Sequence, residues 1–427
     1  MSMLADKVDA AIARVADMPD AQRRAIFVSF DPDRIRAEAR RQQARHDAGE
    51  DLPLLGTLIS VKDLFDEAGQ VTSAGSRLLA RRAPAESDAT AVERLRKAGA
   101  VMFGRTSMSE FAYSGVGLNP HHGTPSGALA EGVIPGGSSS GGAVGVALGL
   151  TDAAIGTDTG GSLRIPAAAN GIWGMKPSQG LIPDTGVHPL APSYDTPGPM
   201  ARDHATLHKM LEVMAGSPLP PTSDGPLTLA LPHGGFVNDL SSEIAAWFAA
   251  EQDRLRAAGH RLVPVDATLI GASVGLNRII VAVEAHRLYA DDLETLGSIG
   301  DPRVLSRIRF AETLSDSQIA DAYAERARIV AHFGALMEGF DAMLAPTLQM
   351  MPPRIDETEA DFDRINAAML RNTSLVNLVD GCAISLPSDW GGKPWALTML
   401  VGAKGTDAAI LSAAKTIGLQ SAAGADR

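Results

Sequence analysis

The sequence predicts an α/β fold, because segments with helical spacing alternate with short apolar runs that are typical of buried strands. Residues 86–98 have helical spacing, and the apolar run at 100–103 predicts a strand ended by Gly104. The chain has 427 residues, of which 45% are hydrophobic, and is therefore long enough to bury a large core. Because no clear linker divides it, we expect one domain over residues 1–427.

The rest of the chain continues this alternation. The N-terminus predicts an amphipathic helix within a helical segment over about residues 1–50, and the Ser/Pro-rich run at 217–226 predicts a connection within one domain. Further helices are expected at 143–150, 275–293, 301–312 and 315–339, and further strands at 152–155 and 341–346.

Composition excludes several classes of partner. The formal net charge of −12, without a basic cluster, argues against binding to nucleic acid or to an anionic membrane. The longest apolar Gly/Ala stretch, 143–150, is far shorter than the roughly 20 residues needed to span a bilayer. The N-terminus also lacks the apolar core of a signal peptide, so we expect a cytoplasmic protein. The single cysteine, Cys382, excludes an intramolecular disulfide and is expected to be a small buried residue.

Two glycine-rich loops that carry serines are the strongest indication of function. Residues 136–142 read Gly-Gly-Ser-Ser-Ser-Gly-Gly, and residues 157–166 contain a second Gly-Gly-Ser sequence. A serine hydroxyl needs a base before it can attack a carbonyl, and a neutral lysine such as Lys62, well upstream, can supply one. Glycines beside a serine leave backbone N–H groups unshielded, so these groups can point at a developing oxyanion.

These three blocks, in this order and near this spacing, resemble those of the amidase signature hydrolases, which use a Ser-cisSer-Lys triad. The resemblance implies that Ser162 is the nucleophile, that Ser138 bridges to the base after a cis peptide bond, and that Lys62 is the base. Ser138 is chosen over its serine neighbours because it lies 24 residues before Ser162, which is the family's spacing. Burial would favour the neutral form of Lys62, which could then accept the proton of Ser162 through Ser138.

The resemblance is strong over about residues 50–210, which would form the signature core, and is recognisable over about 270–310 and 340–415. It implies an α/β/α sandwich around a large mixed β-sheet. The implied reaction is hydrolysis of the C–N bond of a small carboxamide through an acyl-enzyme, with release of ammonia or an amine. It requires neither a metal nor an organic cofactor.

The second loop carries the other residues expected at the site. By resemblance Thr159, Gly160 and Gly161 form an oxyanion hole together with the nucleophile. Asp158 and Arg164 flank this loop with opposite charges and are expected to pair and hold its shape. Two residues beside the triad, Ser139 and Asp63, are interpreted as structural neighbours.

Two regions are expected to border the substrate. In residues 392–398, Ala396 and Thr398 depart from the family's usual run, and Trp395 adds a large apolar ring. We therefore expect a pocket that prefers apolar or aromatic acyl groups over glutamine. Tyr113 is the second candidate for the pocket. Its loop also carries Asn119, His121 and His122, for which a surface position is the alternative. The block before this loop, residues 106–111, resembles a common block of the family but has Ser107 where asparagine is common.

Three other motifs offer rival sites. Residues 137–141 fit G-x-S-x-G, which would make Ser139 the nucleophile of an α/β-hydrolase elbow. Residues 412–415 fit S-x-x-K but lack the partner motifs of that class, and are expected on a C-terminal helix. His204 and His208 have the spacing of a metal pair but lack the glutamate of H-E-x-x-H.

Other functions also remain open at this stage. The chain could be a urea-like C–N hydrolase of the allophanate or carboxybiuret type, or the A subunit of a glutamine-dependent amidotransferase that passes ammonia to a partner. It could also be a catalytically dead binding protein, although the intact triad argues against this. A small-molecule amide is the expected partner, and a homodimer is the expected assembly if the chain associates.

Overall fold

A sheet of eleven strands runs through the part of the chain that the computed structural model describes, residues 3–220 and 225–425, with side chains described up to residue 418. In chain order the strands are β1 (Phe27–Ser29), β2 (Leu58–Lys62), β3 (Val101–Thr106), β4 (Ala153–Thr157), β5 (Trp173–Lys176), β6 (Pro197–Ala201), β7 (Thr228–His233), β8 (Arg261–Asp266), β9 (Ala342–Pro346), β10 (Cys382–Leu386) and β11 (Thr398–Gly402).

The sheet is mixed, and its order is β1-β3-β2-β4-β6-β5-β10-β11-β9-β7-β8. Strand β2 pairs in parallel with β3 and β4, and β7 pairs in parallel with β8 and β9. The other neighbouring strands are antiparallel. Because β2 and β4 run in parallel, with Val61 opposite Ile155, their carboxyl ends meet at one edge of the sheet. This pairing brings Lys62 and Thr157 side by side.

Sixteen α-helices of the described residues surround the sheet, and none of them is both long and apolar enough to cross a bilayer. They are α1 (Met3–Ala16), α2 (Asp20–Ile26), α3 (Pro32–Asp47), α4 (Thr90–Lys97), α5 (Ser140–Ala147), α6 (Arg164–Asn170), α7 (His204–Ala215), α8 (Ser242–Ala257), α9 (Thr268–Ala272), α10 (Gly275–Tyr289), α11 (Leu293–Ile299), α12 (Pro302–Arg309), α13 (Asp316–Leu336), α14 (Ile355–Ala360), α15 (Phe362–Leu378) and α16 (Asp407–Ala425).

Alternation along the strands divides the core between the two faces of the sheet. On β2, Ile59 and Val61 pack in the largest apolar cluster, together with residues of α4, α7, α8 and α16. Leu58, the first residue of β2, points to the opposite face and packs with α1 and α3. Along that face, α5 and α6 cover the middle of the sheet, and α13 and α15 cover the region of β10 and β11. Helices therefore cover both faces, which confirms the predicted α/β/α sandwich around a large mixed sheet.

Most predicted elements are present with changes at their ends. The predicted helix at 86–98 is shortened to α4, and the amphipathic N-terminal segment forms α1. The predicted helices at 143–150, 275–293, 301–312 and 315–339 correspond to α5, α10, α12 and α13, and the predicted strands at 152–155 and 341–346 correspond to β4 and β9. The S-x-x-K residues lie on α16, as expected. Of the connection predicted at 217–226, residues 221–224 lie outside the described residues.

The prediction that Gly104 ends a strand is wrong. Opposite β2, Ile59 pairs with Met102 and Ser60 pairs with Gly104, so Phe103 is one extra residue on β3. Such a β-bulge accommodates the extra residue locally, and the strand continues to the end of β3. Glycine suits this position because its φ is +154°.

A buried ion-pair network fastens the segment that follows β2. Arg105 on β3 donates from Nε to Asp63 Oδ1 at 3.0 Å and from Nη1 to Glu67 Oε2 at 3.2 Å. Each of these three side chains is at most 3% exposed. The Asp63 carboxylate also accepts hydrogen bonds from the Ser73 hydroxyl and the Gly75 amide. Asp63 is thus a structural neighbour of Lys62, as expected, and the network fixes the chain where it leaves β2.

Replacing Arg105 by methionine should lower the free energy of unfolding by about 3–5 kcal/mol, because Asp63 loses the only cation that contacts its buried carboxylate among the described residues. Urea unfolding measures this change. Lys97→Met is the control, since Lys97 pairs with Glu93 on the exposed surface, and it should cost less than about 1 kcal/mol. Equal effects of the two substitutions would contradict a structural role for the network.

Candidate active site

Lys62, the last residue of β2, lies against two segments that carry hydroxyl groups. Its Nζ is 2.7 Å from Ser138 Oγ, 3.0 Å from Thr157 Oγ1 and 3.5 Å from the Thr157 carbonyl oxygen. Lys62 is 1% exposed. The carboxyl ends of parallel strands are a common place for ligands in α/β sheets, and β2 and β4 supply Lys62 and Thr157 at such an edge.

The surroundings of Lys62 favour its neutral form. Burial lowers the pKa of Lys62 from its ordinary value to about 7, and the nearby charges of Asp158 and Asp195 partly offset this fall. No carboxylate of the described residues forms an ion pair with the Lys62 amine. The amine can therefore exist without its extra proton near neutral pH, and its lone pair can then face Ser138 Oγ.

The first serine loop is held by backbone contacts to residues 107–117. The Gly137 amide donates to the Gly115 carbonyl at 2.9 Å, and the Ser138 carbonyl accepts from the Ser109 amide at 3.2 Å. The Gly137–Ser138 peptide bond is cis. A Cβ on Gly137 would lie 2.5 Å from the Gly117 amide nitrogen, so the two chain segments touch where glycine alone leaves room.

Ser107, which departs from the family's common asparagine, takes part in the same contacts. Its hydroxyl donates to the Ala25 carbonyl at 2.5 Å, and its carbonyl accepts from the Gly141 amide at 3.1 Å. Serine at this position therefore connects the end of α2 to the start of α5. The departure lies in the support of the loop and not in contact with Lys62.

The neighbouring serines have different surroundings from Ser138. Helix α5, which was predicted at 143–150, begins at Ser140, with Ser139 in the cap position but without a side-chain capping bond. The Ser139 hydroxyl is buried and has no hydrogen-bond partner among the described residues. A Cβ on Gly156 of β4 would lie 2.7 Å from it, so Ser139 packs against the sheet. The elbow alternative for Ser139 thus lacks a base in hydrogen-bond contact.

The second serine loop joins β4 to α6 and is held by an ion pair. Arg164 donates to both oxygens of Asp158, at 2.8 and 3.0 Å, and both side chains are fully buried. Although burial alone would raise the pKa of Asp158, the Arg164 guanidinium holds it below its ordinary value. Asn377 of α15 bridges the pair, accepting from Arg164 at 2.7 Å and donating to Asp158 at 2.9 Å. The pairing expected from the sequence is present.

Four consecutive backbone amides of this loop, at residues 159–162, have no acceptor among the described residues. Buried backbone donors are nearly always paired, so a run of free donors marks a place for a ligand acceptor. Gly161 allows the loop its shape, because its φ is +140° and a Cβ would lie 2.6 Å from Ile165 Cδ1 and would collide with Thr373 Oγ1. Thr373 Oγ1 also donates to the Gly160 carbonyl at 2.7 Å.

Ser162 lies at the end of these free amides. The residue is 3% exposed, and its hydroxyl has no hydrogen-bond partner among the described residues. The two serine loops adjoin, since a Cβ on Gly136 would lie 3.0 Å from the Ile165 carbonyl oxygen. A free hydroxyl, a row of free amide donors and a neutral amine that contacts a second hydroxyl are thus assembled at one edge of the sheet. Such a set can activate a serine and stabilise an oxyanion.

Two residues at this edge were given no role from the sequence. Thr157 lies within the second block, and only the parallel pairing of β2 with β4 places its hydroxyl beside Lys62. Asp195 belongs to no motif, and its Oδ1 accepts from the Thr159 hydroxyl at 2.5 Å. An acidic residue shortly before β6 was the only signal in the sequence for Asp195.

The expected pocket residues have mixed positions. Tyr113 follows the segment that contacts Ser138, and its carbonyl accepts from Arg307 at 2.7 Å. Trp395 is 7% exposed, and its ring packs in the largest apolar cluster. Its contact with a substrate stays a prediction.

The other polar residues of the Tyr113 loop are internal. Asn119 is buried and donates to the carbonyls of Gly75 and Met108 at 2.9 and 2.7 Å. His121 Nε2 lies 3.1 Å from Glu110 Oε1, and the His121 side chain is 6% exposed. His122 is partly buried, which lowers its pKa. For Asn119 and His121 the structure thus shows neither a surface loop nor a free side chain.

The alternative metal pair is not assembled into a site. His204 Nε2 lies 2.9 Å from the Leu411 carbonyl oxygen, and His208 Nε2 lies 3.6 Å from Glu212. In the described part of the chain no group of three His, Cys, Asp or Glu side chains could hold a metal ion. Cys382 is buried, as expected, and is a free thiol at the start of β10.

Comparison with known proteins indicates the family of the chain. A sequence profile described as Amidase matches residues 8–411. The chain is 33% identical to 2-amino-5-chloromuconic acid deaminase of Comamonas testosteroni, over 84% of this chain and 80% of that protein. It is 32% identical to the 1-carboxybiuret hydrolase subunit AtzE of Pseudomonas sp. (strain ADP), over 84% of this chain and 82% of that protein.

A crystal structure of an amidase has the same fold. It superposes with a TM-score of 0.89 and 29% sequence identity, and the alignment covers 98% of this chain and 96% of that one. Both the extent of the profile match and the level of identity to full-length relatives establish the family. This chain belongs to the amidase family and is an enzyme that hydrolyses amide C–N bonds.

Proposed function

We propose that the chain acts alone as an amidase on a small carboxamide, with Ser162 as nucleophile, Ser138 as the bridging hydroxyl and Lys62 as base. The observation that carries the proposal is the 2.7 Å contact between the buried Lys62 amine and Ser138 Oγ, beside a loop with four free amides. A serine, a second hydroxyl and a neutral amine form a proton path that needs no histidine.

The proposed reaction begins with two coupled proton transfers. Neutral Lys62 takes the proton of Ser138 while Ser138 takes the proton of Ser162. Ser162 Oγ then bonds to the substrate's carbonyl carbon, and the carbonyl oxygen becomes an oxyanion. When the C–N bond breaks, the proton returns from Lys62 through Ser138 to the leaving nitrogen, and ammonia or an amine departs.

Water then hydrolyses the acyl-enzyme and completes the cycle. The same relay takes a proton from the water molecule, whose oxygen bonds to the acyl carbon. The bond from that carbon to Ser162 Oγ breaks, Ser162 regains its proton, and the carboxylic acid leaves. Both half-reactions balance without an oxidant, a reductant or a metal ion.

The free amides of residues 159–162 supply the oxyanion hole of this proposal. They lie in one loop between Asp158 and Arg164, and the buried ion pair of these two residues fixes the two ends of the loop. Removing one such donor in a serine protease costs about 2.7–4 kcal/mol of transition-state stabilisation. Because the donors are fixed before substrate arrives, no reorganisation is needed as charge develops.

Thr157 fits the proposal as the group that orients the base. A neutral amine has two N–H donors and one lone pair. Both oxygens of Thr157 lie within 3.5 Å of Lys62 Nζ and can accept the two N–H bonds. The lone pair is then left for the Ser138 hydroxyl, which is the direction the relay requires.

The purified chain alone should release ammonia from simple amides, and Ser162→Ala should lower kcat to near background. Ser138→Ala and Lys62→Met should each cost several orders of magnitude. Their double variant should cost little more than either, because the three groups act as a unit. Ser139→Ala is the matched control, since its buried hydroxyl has no partner to lose, and it should keep most activity. Steady-state kinetics with ammonia detection measures all five variants.

Two outcomes would contradict the proposal. Activity that survives Ser162→Ala but disappears in Ser139→Ala would establish the elbow alternative. A chain that is inert alone, and becomes a glutaminase only with added partner subunits, would establish the amidotransferase alternative. The amide panel should include apolar, aromatic and carboxylate-bearing acyl groups, because the predicted preference for apolar or aromatic groups rests on Trp395 and this panel tests it.

Activity should fall as pH drops below about 7, because the pKa of Lys62 is lowered to about 7 and only its neutral form can act as a base. The profile of kcat/KM against pH reports the free enzyme, so its acid limb should have a midpoint near that value. A limb that stays in place in a Lys62 variant with residual activity would show that another group is titrating.

A further inference from the structure

Asp195 is an acidic residue that the proposed reaction does not use, yet it is tied closely to the site. Its Oδ2 accepts from the amides of Leu190 and Ala191, at 2.8 and 3.0 Å. Its Oδ1 accepts from the Thr159 hydroxyl at 2.5 Å. Three donors thus converge on one carboxylate, which no Lys, Arg or His of the described residues contacts as an ion pair.

Backbone pairing fixes Asp195 relative to the oxyanion loop. Strands β4 and β6 are antiparallel, with Thr157 opposite Pro197. Just beyond this pair, the Asp158 amide donates to the Thr196 carbonyl at 2.9 Å. Asp195 and Thr159 are therefore the next residues along two segments that are already hydrogen-bonded to each other. Their side chains add a further hydrogen bond between these segments.

Thr159 is also the first of the four residues with free amides. An N–H group that has no acceptor of its own is oriented only by the chain around it. On one side Asp158 is fixed by its ion pair with Arg164, and within the described part of the chain the hydroxyl of Thr159 makes the only hydrogen bond of that residue. The bond to Asp195 is thus the contact that holds the first donor of the loop in place.

The charge of Asp195 also reaches Lys62. Burial lowers the pKa of Lys62, and the charge of Asp195 acts against that fall. The other ionisable groups that face Asp195 are Glu284 and Tyr289, both on α10. Burial raises the pKa of Asp195 to about 6, while the Thr159 hydroxyl and the two backbone amides act to lower it. Asp195 is therefore largely ionised where Lys62 loses its proton.

We propose that Asp195 is a positioning residue for amide hydrolysis: its bond to Thr159 holds the oxyanion loop, and its negative charge, together with that of Asp158, favours the protonated form of Lys62. This inference rests on the proposed function of Lys62 and of residues 159–162. It assigns Asp195 no contact with the substrate.

Two substitutions separate the two effects. Asp195→Asn keeps a side chain that can hydrogen-bond to Thr159 and the loop but removes the charge. With Asp195 neutralised and only Asp158 left as a nearby anion, the protonated form of Lys62 is less favoured, so the acid limb of kcat/KM should move to lower pH by about 0.5 unit or more. Thr159→Val removes the hydroxyl and should lower kcat about tenfold with little change in KM, since an oxyanion is bound only as the reaction proceeds.

Thr159→Ser is the matched control, because serine restores the hydroxyl. Its kcat should exceed that of Thr159→Val by about tenfold. Titration of the reactive serine normalises each rate to folded enzyme, so that a loss of folding is not counted as a loss of kcat. The wild-type acid limb and the inactivity of Lys62→Met test the proposed function separately.

If those two tests hold, an Asp195→Asn variant whose acid limb of kcat/KM has the same pH midpoint as the wild type would overturn the electrostatic effect. Equal kcat for Thr159→Val and Thr159→Ser would overturn the positioning effect. A downward shift of the limb together with a serine rescue would support the inference as stated.

Discussion

The contact between Lys62 Nζ and Ser138 Oγ inside the protein is the interaction on which the candidate site depends. An ammonium group is costly to bury, and no carboxylate in the described residues pairs with Lys62, so its surroundings favour the neutral amine. The fold creates this situation by simple means. Parallel pairing of β2 with β4 brings Lys62 and Thr157 to one edge, and the loop before α5 places Ser138 against them.

Lys176 shows that burial alone does not produce such a site. It is also buried, and burial lowers its pKa to about 8. Its amine, however, donates to the carbonyls of Pro177 and Gly381, at 2.9 and 2.7 Å, and contacts no hydroxyl in the part of the chain that the structure describes. Carbonyl oxygens can only accept hydrogen bonds, so these contacts offer the Lys176 amine no proton that it could accept as a base. Lys176 instead connects its own strand to the segment at Gly381. Burial favours the neutral amine in both lysines, and only Lys62 has a hydroxyl neighbour whose proton the amine can accept.

The sequence predicts the α/β class, the two serine loops and Lys62, because these depend on local patterns and on recognisable blocks. It also predicts the pairing of Asp158 with Arg164, two opposite charges in one short loop. It could not predict Asp195, whose partner Thr159 lies in a distant segment that only the pairing of β4 with β6 brings close. Two other features could not be predicted, because they depend on how strands and helices pack. They are the bulge that lets β3 continue beyond Gly104 and the packing of Trp395 in the core.

The proposed roles of Ser162 as nucleophile and of the Lys62 amine as its base can be tested by labelling with a fluorophosphonate, followed by mass spectrometry of the peptides. We expect one adduct, on Ser162, that forms much more slowly in Lys62→Met and does not form in Ser162→Ala. An adduct on Ser139, or labelling of Ser162 at the same rate without Lys62, would contradict these roles.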